Sequence, residues 1–247
     1  MIKAYYTATN GAMSTQNYLD VISNNMANIQ TQGFKKSKPE FSDLMYTNIR
    51  GAEGANTELK SGSGSKINKV DVVFSQGAPY QTGVPTDFAI QGDGFFMVQF
   101  EDENLFTRGG SFEITNIDEE NYLTYQGGYV LNSNEEPIIL EDTEDTENTE
   151  NIEDVEDITS LEPGVFAFTN NMDLEQTGNN LYRIANEDAE YELMESPKLM
   201  KGWLEASNVE VSEEMIRLIQ LQRSFQLNSN IVKTADEIEQ TINTLRG

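Results

Sequence analysis

Two glycine-containing loops of this chain have residue types that could bind phosphate or a nucleotide. Gly92-Asp93-Gly94 resembles the start of a dinucleotide-binding loop, but the downstream glycine and helix are missing, so a tight hairpin is the better interpretation. Residues 62–66, GSGSK, have the composition of a phosphate-binding loop, but the glycine, lysine and hydroxyl residues come in the wrong order. We therefore expect no cofactor and no cofactor-binding residues.

Ser111 and Tyr125 carry hydroxyl groups that could act in catalysis only if a nearby base activated them. The chain contains no histidine and no cysteine, which removes two of the commonest catalytic side chains and every Cys/His metal site. With 42 Asp and Glu residues, some carboxylates must lie close together by chance. We expect no catalytic residues and no enzyme. The competing class is a soluble extracellular binding module or a hydrolase of extracellular polymer.

Residues 141–158 form the densest cluster of possible metal ligands. They divide into six triplets that each begin with glutamate, and ten of the eighteen residues are acidic while none is basic. A calcium-binding loop needs a glycine and a fixed spacing of oxygen ligands, and this run has neither. We therefore expect no metal site, and we interpret the run as a solvated low-complexity insertion.

The charge distribution excludes further classes. The net charge is −26, although residues 1–69 carry eight basic and only five acidic residues. Most of the surface would therefore repel nucleic acid and anionic lipid, and we expect no nucleic-acid binding. No window approaches the ~18 to 20 apolar residues of a membrane span, so we expect no direct membrane insertion. The first residues also lack the continuous apolar segment of a secretory signal, so if the protein leaves the cytoplasm, we expect it to do so without a cleaved signal peptide.

The elements that must organise the chain lie at its two ends. Apolar and small residues recur at spacings of three and four near the N-terminus, which predicts an amphipathic helix within residues 1–34. Gly33 would stop this helix. The members of this row are Ala4, Ala8, Ala12, Thr15, Leu19, Ile22, Met26 and Ile29.

A matching row predicts a second helix within residues 203–247. Ser212 would be its N-cap, and Glu213 and Glu214 would complement the positive end of the helix dipole. The row is Val211, Met215, Leu218, Phe225, Ile231, Ala235, Ile238, Ile242 and Leu245. Each row is too narrow for a globular core, so each helix needs a partner.

The middle of the chain predicts strands and not helices. Short apolar runs separated by Gly, Asn and Asp favour antiparallel hairpins and a small sandwich or barrel. The fold class is therefore α+β, with the terminal helices pairing as a coiled-coil-like stalk. The predicted domains are residues 1–34 (first helix), 35–69 (linker and extended loop), 70–202 (β-rich domain containing the insertion 141–158) and 203–247 (second helix).

Polar residues beside the apolar rows suggest what the helices contact. Asparagine and glutamine flank both rows, and their amides can hydrogen-bond a neighbouring helix without burying charge. This composition favours packing among many similar helices. A helix–helix core inside one subunit needs the same apolar rows, and it stays open as an alternative.

Three segments resemble the signatures of bacterial flagellar rod and hook proteins. The first is residues 19–28, LDVISNNMAN, followed by Thr31, Gly33, Phe34 and Lys35. The central segment runs from Thr82-Gly83 through residues 87–96 to Thr107-Arg108 and Phe112. The last is residues 204–209, LEASNV, continuing through residues 214–228. The resemblance covers nearly the whole chain, and residues 41–46, FSDLMY, resemble the distal-rod branch more than the proximal one. The acidic run departs from the family pattern.

The resemblance implies a structural subunit of the flagellar basal-body rod, the drive shaft between the motor and the hook. It implies a helical homo-oligomer that contacts other rod and hook proteins, lies outside the cytoplasmic membrane and leaves the cell through the flagellar type III export apparatus. A proximal-rod or hook-type paralogue is the alternative within the family.

The expected assembly interface combines both helices. On the N-terminal helix it comprises Ala8, Ala12, Leu19, Ile22, Asn24, Asn25, Met26, Asn28 and Ile29. On the C-terminal helix it comprises Asn208, Val211, Met215, Leu218, Ile219, Gln222, Arg223, Phe225, Asn228, Ile231, Ala235, Ile238, Ile242 and Leu245.

Overall fold

A computed structural model describes residues 2–48, 60–100, 103–117, 120–140, 162–186, 189–194 and 196–246. The acidic run 141–158 lies outside these residues. The chain divides into two compact units. The helical unit comprises Met1–Ala27, Lys36–Val73 and Val209–Gly247, and the sheet unit comprises Asn28–Lys35 and Phe74–Asn208.

Two long helices dominate the helical unit, as the apolar spacing predicts. Helix α1 spans Ile2–Ala27 and helix α2 spans Val211–Arg246. The predicted stop at Gly33 and the predicted cap at Ser212 are both wrong. Helix α1 ends six residues before Gly33, and Ser212 lies inside α2, where its hydroxyl donates to Glu210 Oε1 at 2.7 Å.

The helices pack antiparallel along a row of small residues. A Cβ on Gly11 of α1 would lie 3.0 Å from Asn228 Nδ2 of α2, and Ala4 lies beside Ile231 and Ala235. The missing side chain of Gly11 thus leaves space for the Asn228 side chain between the two helices. Whether the pair follows coiled-coil geometry stays a prediction.

No helix within the described residues is long and apolar enough to span a membrane.

Short strands complete the helical unit. They are β1 (Ser37–Asp43), β2 (Thr47–Asn48), β3 (Lys60–Ser61) and β4 (Ser65–Val72). β1 pairs antiparallel with β4, and β2 with β3. The β1–β4 ribbon lies on α1, where the Tyr18 and Phe41 rings are 5.6 Å apart and Ser14 Oγ donates to the Ser65 carbonyl at 2.9 Å.

The sheet unit is antiparallel, as the short apolar runs predict. Its strands are β5 (Pro79–Gln81), β6 (Phe88–Ile90), β7 (Phe95–Phe100), β8 (Glu103–Thr107), β9 (Glu113–Ile117), β10 (Glu120–Tyr125), β11 (Gly128–Val130), β12 (Ile139–Leu140), β13 (Val165–Phe168), β14 (Leu174–Gly178), β15 (Leu181–Ile184), β16 (Tyr191–Leu193), β17 (Leu199–Lys201) and β18 (Trp203–Glu205). A 3-10 turn, Asn171–Asp173, precedes β14.

Strands β7 to β16 form one sheet within the described residues. Its order is β12-β10-β11-β7-β8-β15-β14, with β9 paired to β10 and β13 paired to both β7 and β16. Two short pairs, β6–β17 and β5–β18, lie outside it. The α+β class is therefore confirmed, while the sandwich or barrel shape stays a prediction.

Aromatic and branched apolar side chains fill the core of the sheet unit. Phe112 packs edge-on against Phe96 at 5.1 Å and against Tyr125 at 6.1 Å between ring centroids.

The Gly92–Gly94 segment connects β6 to β7, and both glycines have positive φ. Since these strands pair with other partners, the segment is a tight turn but not the predicted hairpin.

Candidate assembly surface and buried ion cluster

The predicted interface residues divide into an inner row and an outer face. Four of them are buried within the chain: Ala8, Ile22, Asn25 and Ala235. Partly buried members are Ala12, Leu19, Met26, Asn28, Ile29, Asn208, Leu218 and Asn228. Exposed members are Asn24, Val211, Met215, Ile219, Gln222, Arg223, Phe225, Ile231, Ile238, Ile242 and Leu245. The predicted residues therefore include both a helix–helix core within the subunit and an exposed face. Asn28, Ile29 and Asn208 belong to the sheet unit.

Asn25 shows that one predicted contact is used internally. Its side-chain Nδ2 donates to the Ser37 carbonyl, and its Oδ1 accepts from the Ser37 N–H, both at 2.9 Å. The amide thus ties the end of α1 to the start of β1. The sequence analysis assigned this amide to a contact with a neighbouring helix, but Asn25 lies in the last turn of α1, a position that suits a local role.

An apolar groove runs between the N-terminal end of α1 and the C-terminal half of α2. It encloses about 480 Å³ and is lined by Ala4, Leu227, Asn230, Ile231, Thr234, Ala235 and Ile238. Leu227 is 64% exposed, Ile231 47% and Ile238 40%. Exposed branched side chains grouped in a groove are typical of an interaction surface, because their burial by a partner is favourable.

A second, polar groove contains the same buried Ala235. We call it the acidic notch; it encloses about 380 Å³ and is lined by Tyr5, Tyr6, Ala235, Asp236 and Glu239. The two tyrosine rings meet edge to face at 5.9 Å. The notch thus combines aromatic surface with two carboxylates.

The beginning of α2 is held by ion pairs. Lys36 Nζ lies 3.2 Å from Glu213 Oε2, and Arg217 Nη2 lies 2.6 Å from Glu213 Oε1. The hydrogen bond and charge of Lys36, together with Arg217, hold the pKa of Glu213 below its ordinary value. Glu213 therefore remains charged beside the helix N-terminus, where a negative charge is favourable.

A buried ion cluster lies in the sheet unit, and it consists of Lys35, Arg108 and Glu205. Lys35 Nζ lies 2.5 Å from Glu205 Oε1, and Arg108 Nη1 lies 3.4 Å from Glu205 Oε2. All three side chains are almost completely shielded from solvent. The cluster has two positive charges and one negative charge, so Glu205 is the counter-charge for both cations.

Backbone groups complete the cluster. The Gly77 N–H donates to Glu205 Oε1 at 2.6 Å, and Lys35 Nζ donates to the Ser75 carbonyl at 2.9 Å. The Arg108 guanidinium lies over the Phe95 ring, 5.2 Å from its centroid. Burial lowers the pKa of both Lys35 and Arg108, and the charge of Glu205 opposes that effect. Four separate chain segments are therefore joined at one carboxylate.

The three sequence signatures converge at this cluster. Gly33 and Lys35 come from the first, Arg108 from the central one and Glu205 from the last. Besides the ion pairs, the Gly33 N–H donates to the Glu205 carbonyl at 2.7 Å. These residues are part of the sequence signatures, but the sequence analysis predicted no ion pair or hydrogen bond between them. The available signal was a charged residue next to strongly apolar neighbours, as in Phe34-Lys35 and Leu204-Glu205.

Replacing Gly33 by alanine is expected to destabilise the sheet unit more than the same change at Gly83. Both glycines have left-handed backbones, with φ +65° and +74°, so each alanine carries a strain of about 1 kcal/mol. A Cβ on Gly33 would also lie 2.6 Å from the Arg108 carbonyl carbon, whereas Gly83 has nothing within 4 Å. Urea unfolding of both variants measures the difference. Equal losses would show that Gly33 is required only for its backbone angle.

Comparison with known proteins gives consistent matches along the chain. Family models match residues 6–35 (Flagella basal body rod protein), 89–161 (Flagellar hook protein FlgE/F/G D1 domain) and 200–245 (Flagellar basal body rod FlgEFG protein C-terminal). The flagellar basal-body rod protein FlgG of Bacillus subtilis is 34% identical over 100% of both chains. FlgG of Borreliella burgdorferi is 34% identical over 100% of this chain and 99% of its own. The hook protein FlgE of Treponema pallidum is 36% identical over 47% of this chain and 26% of its own.

Proposed function

The chain belongs to the flagellar basal-body rod protein family, and from this premise we propose that it assembles with copies of itself into the distal rod. It is a structural subunit of the rod and not an enzyme, since its relatives are structural components. In this proposal both helices of each subunit form the core of a helical tube. The assembled shaft transmits rotation from the motor to the hook.

The single observation that carries self-assembly is the exposure of α2. This helix is 36 residues long, yet Glu214 and Ala235 are its only buried side chains among those described. A helix of this length needs tertiary packing along its apolar face to be stable in water. We infer that neighbouring subunits supply the contacts that the single chain does not.

The apolar groove supports the same proposal energetically. Complete burial of a leucine or isoleucine contributes about 1.5–3 kcal/mol relative to exposure. Leu227, Ile231 and Ile238 are each about half exposed, so covering all three would stabilise an assembly by several kcal/mol per subunit. The groove is on one side of the helix pair, and a contact between unlike surfaces builds an open helical filament when it does not close into a ring.

The rod assignment fits the alignments better than the hook-type alternative. The rod relatives match this chain from end to end, whereas the hook relative matches 26% of its own length.

The relatives place the chain in the flagellar basal body. We further propose that it reaches this site through the flagellar type III export apparatus, without a cleaved signal peptide, and contacts other rod and hook proteins there.

Labelled protein in isolated basal bodies is expected to lie in the distal rod, directly below the hook. Electron microscopy of gold-labelled particles gives the position. A label in the hook would instead support a hook-type paralogue, and a label next to the membrane ring would support the proximal rod. Complete absence from basal bodies would contradict the proposal.

A further inference from the structure

The two sides of α2 have complementary chemistry. On one side lies the acidic notch, where the exposed carboxylates of Asp236 and Glu239 accompany the Tyr5 and Tyr6 rings. Neither carboxylate forms an ion pair within the described residues. Two carboxylates beside two aromatic rings match a guanidinium group, which pairs with the oxygens and stacks on aromatic faces.

Arg223 lies on the opposite side of the same helix. Arg223 and Glu239 are sixteen residues apart on α2, which separates them by about 24 Å along the helix and about 160° around it. Arg223 is exposed, and it too forms no ion pair among the residues the structure describes. It is one turn from Leu227, so it continues the side that carries the apolar groove.

We propose that Arg223 of one subunit occupies the acidic notch of a neighbouring subunit. This inference rests on the proposed self-assembly and assigns a specific contact to it. The donor and acceptor surfaces face opposite ways on one helix, so each subunit gives Arg223 to one neighbour and receives Arg223 from another. Such a head-to-tail contact can propagate without closing. The charges fix which helices meet and in what axial register.

Lys233 is a second exposed cation of α2, and its position does not suit the contact. It precedes Asp236 by three residues, so the two side chains lie on nearly the same face of the helix. Lys233 therefore lies beside the acidic notch of its own subunit. In the proposed contact the neighbour's notch faces the opposite side of α2, where Lys233 cannot reach it. The geometry therefore selects Arg223.

Cross-linking through introduced cysteines tests the contact, because the chain has no cysteine of its own. A short bismaleimide on assembled R223C/E239C protein is expected to give a ladder of covalent multimers. A spacer is needed because disulfides require Cα atoms only ~5.5–6 Å apart. The control R223C/E237C places both cysteines on the same side of α2 and is expected to stay largely monomeric. Equal ladders from both variants would overturn the proposed contact.

Charge reversal separates this inference from the broader proposal. R223E and the D236R/E239R pair are each expected to raise the concentration for half-maximal assembly about tenfold or more, since like charges then meet. Combining all three changes is expected to restore assembly. If the unmodified protein assembles and the combination does not recover, the contact is wrong while self-assembly stands. If the unmodified protein shows no assembly by sedimentation at any concentration, the proposed function itself fails.

Discussion

Replacing Glu205 by glutamine is expected to destabilise the sheet unit by about 3–5 kcal/mol, the usual cost of breaking a buried ion pair. Glu205 is the only carboxylate in contact with Lys35 and Arg108 in the described residues, and both cations are fully buried. Glutamine retains the shape and a hydrogen-bonding oxygen, so the Gly77 N–H keeps an acceptor. The lost charge removes the carboxylate that pairs with both cations, and leaves the longer-range attraction of Asp93 to oppose their mutual repulsion.

Counting charges predicts unequal effects within the cluster. Lys35→Met removes one of the two cations and leaves the Glu205–Arg108 pair, which is neutral overall. We therefore expect this variant to lose less stability than Glu205→Gln. Replacing all three residues by apolar ones of similar volume is expected to recover much of the loss, because a buried ion cluster is costly to desolvate.

Trp203 is the natural probe for these measurements. It is the single tryptophan of the chain, and it lies in β18, two residues before Glu205. Urea unfolding followed by its fluorescence reports on the sheet unit. The control is Glu103→Gln, which breaks the Glu103–Arg183 pair, 2.7 Å apart but about half exposed. An exposed pair contributes at most about 1 kcal/mol. Equal midpoint shifts for the two variants would refute the stabilising role of the cluster.

The helices show what the sequence predicts well. Apolar spacing locates both, because an amphipathic helix repeats its buried face every three or four residues. Their ends are less certain. Gly33 has the properties of a helix stop, yet it serves a tertiary contact, since its missing Cβ leaves space for the Arg108 backbone. Local sequence cannot distinguish these two uses of one glycine.

The strands and the ion cluster show where local patterns stop being informative. Apolar runs predict β7, β10 and β13, but β14 is polar and exposed after its first residue, so alternation gives no signal there. Lys35 and Glu205 are separated by 170 positions in the chain. Their pairing arises only when the sheet unit folds, and no helical or strand period encodes it.

Introducing aspartate at Ile231 and Ile238 is expected to abolish assembly and motility while leaving the single subunit folded. Both side chains are already 40–47% exposed, so the monomer loses little packing. A neighbour that covers the groove would have to bury two unpaired carboxylates, at a cost of several kcal/mol each. Because every 1.4 kcal/mol changes an equilibrium tenfold, the critical concentration should rise at least a hundredfold.

The control for this variant adds charge to the same helix outside the apolar groove. Gln226 is exposed and is not among the residues that line the groove. We expect Gln226→Asp to keep assembly within a few-fold of the unmodified protein, since an exposed carboxylate needs no desolvation. Sedimentation measures assembly, and circular dichroism confirms that the monomers retain equal helix content. If the double variant assembles as readily as Gln226→Asp, the groove is not covered in the rod, and the exposed face of α2 must be stabilised elsewhere.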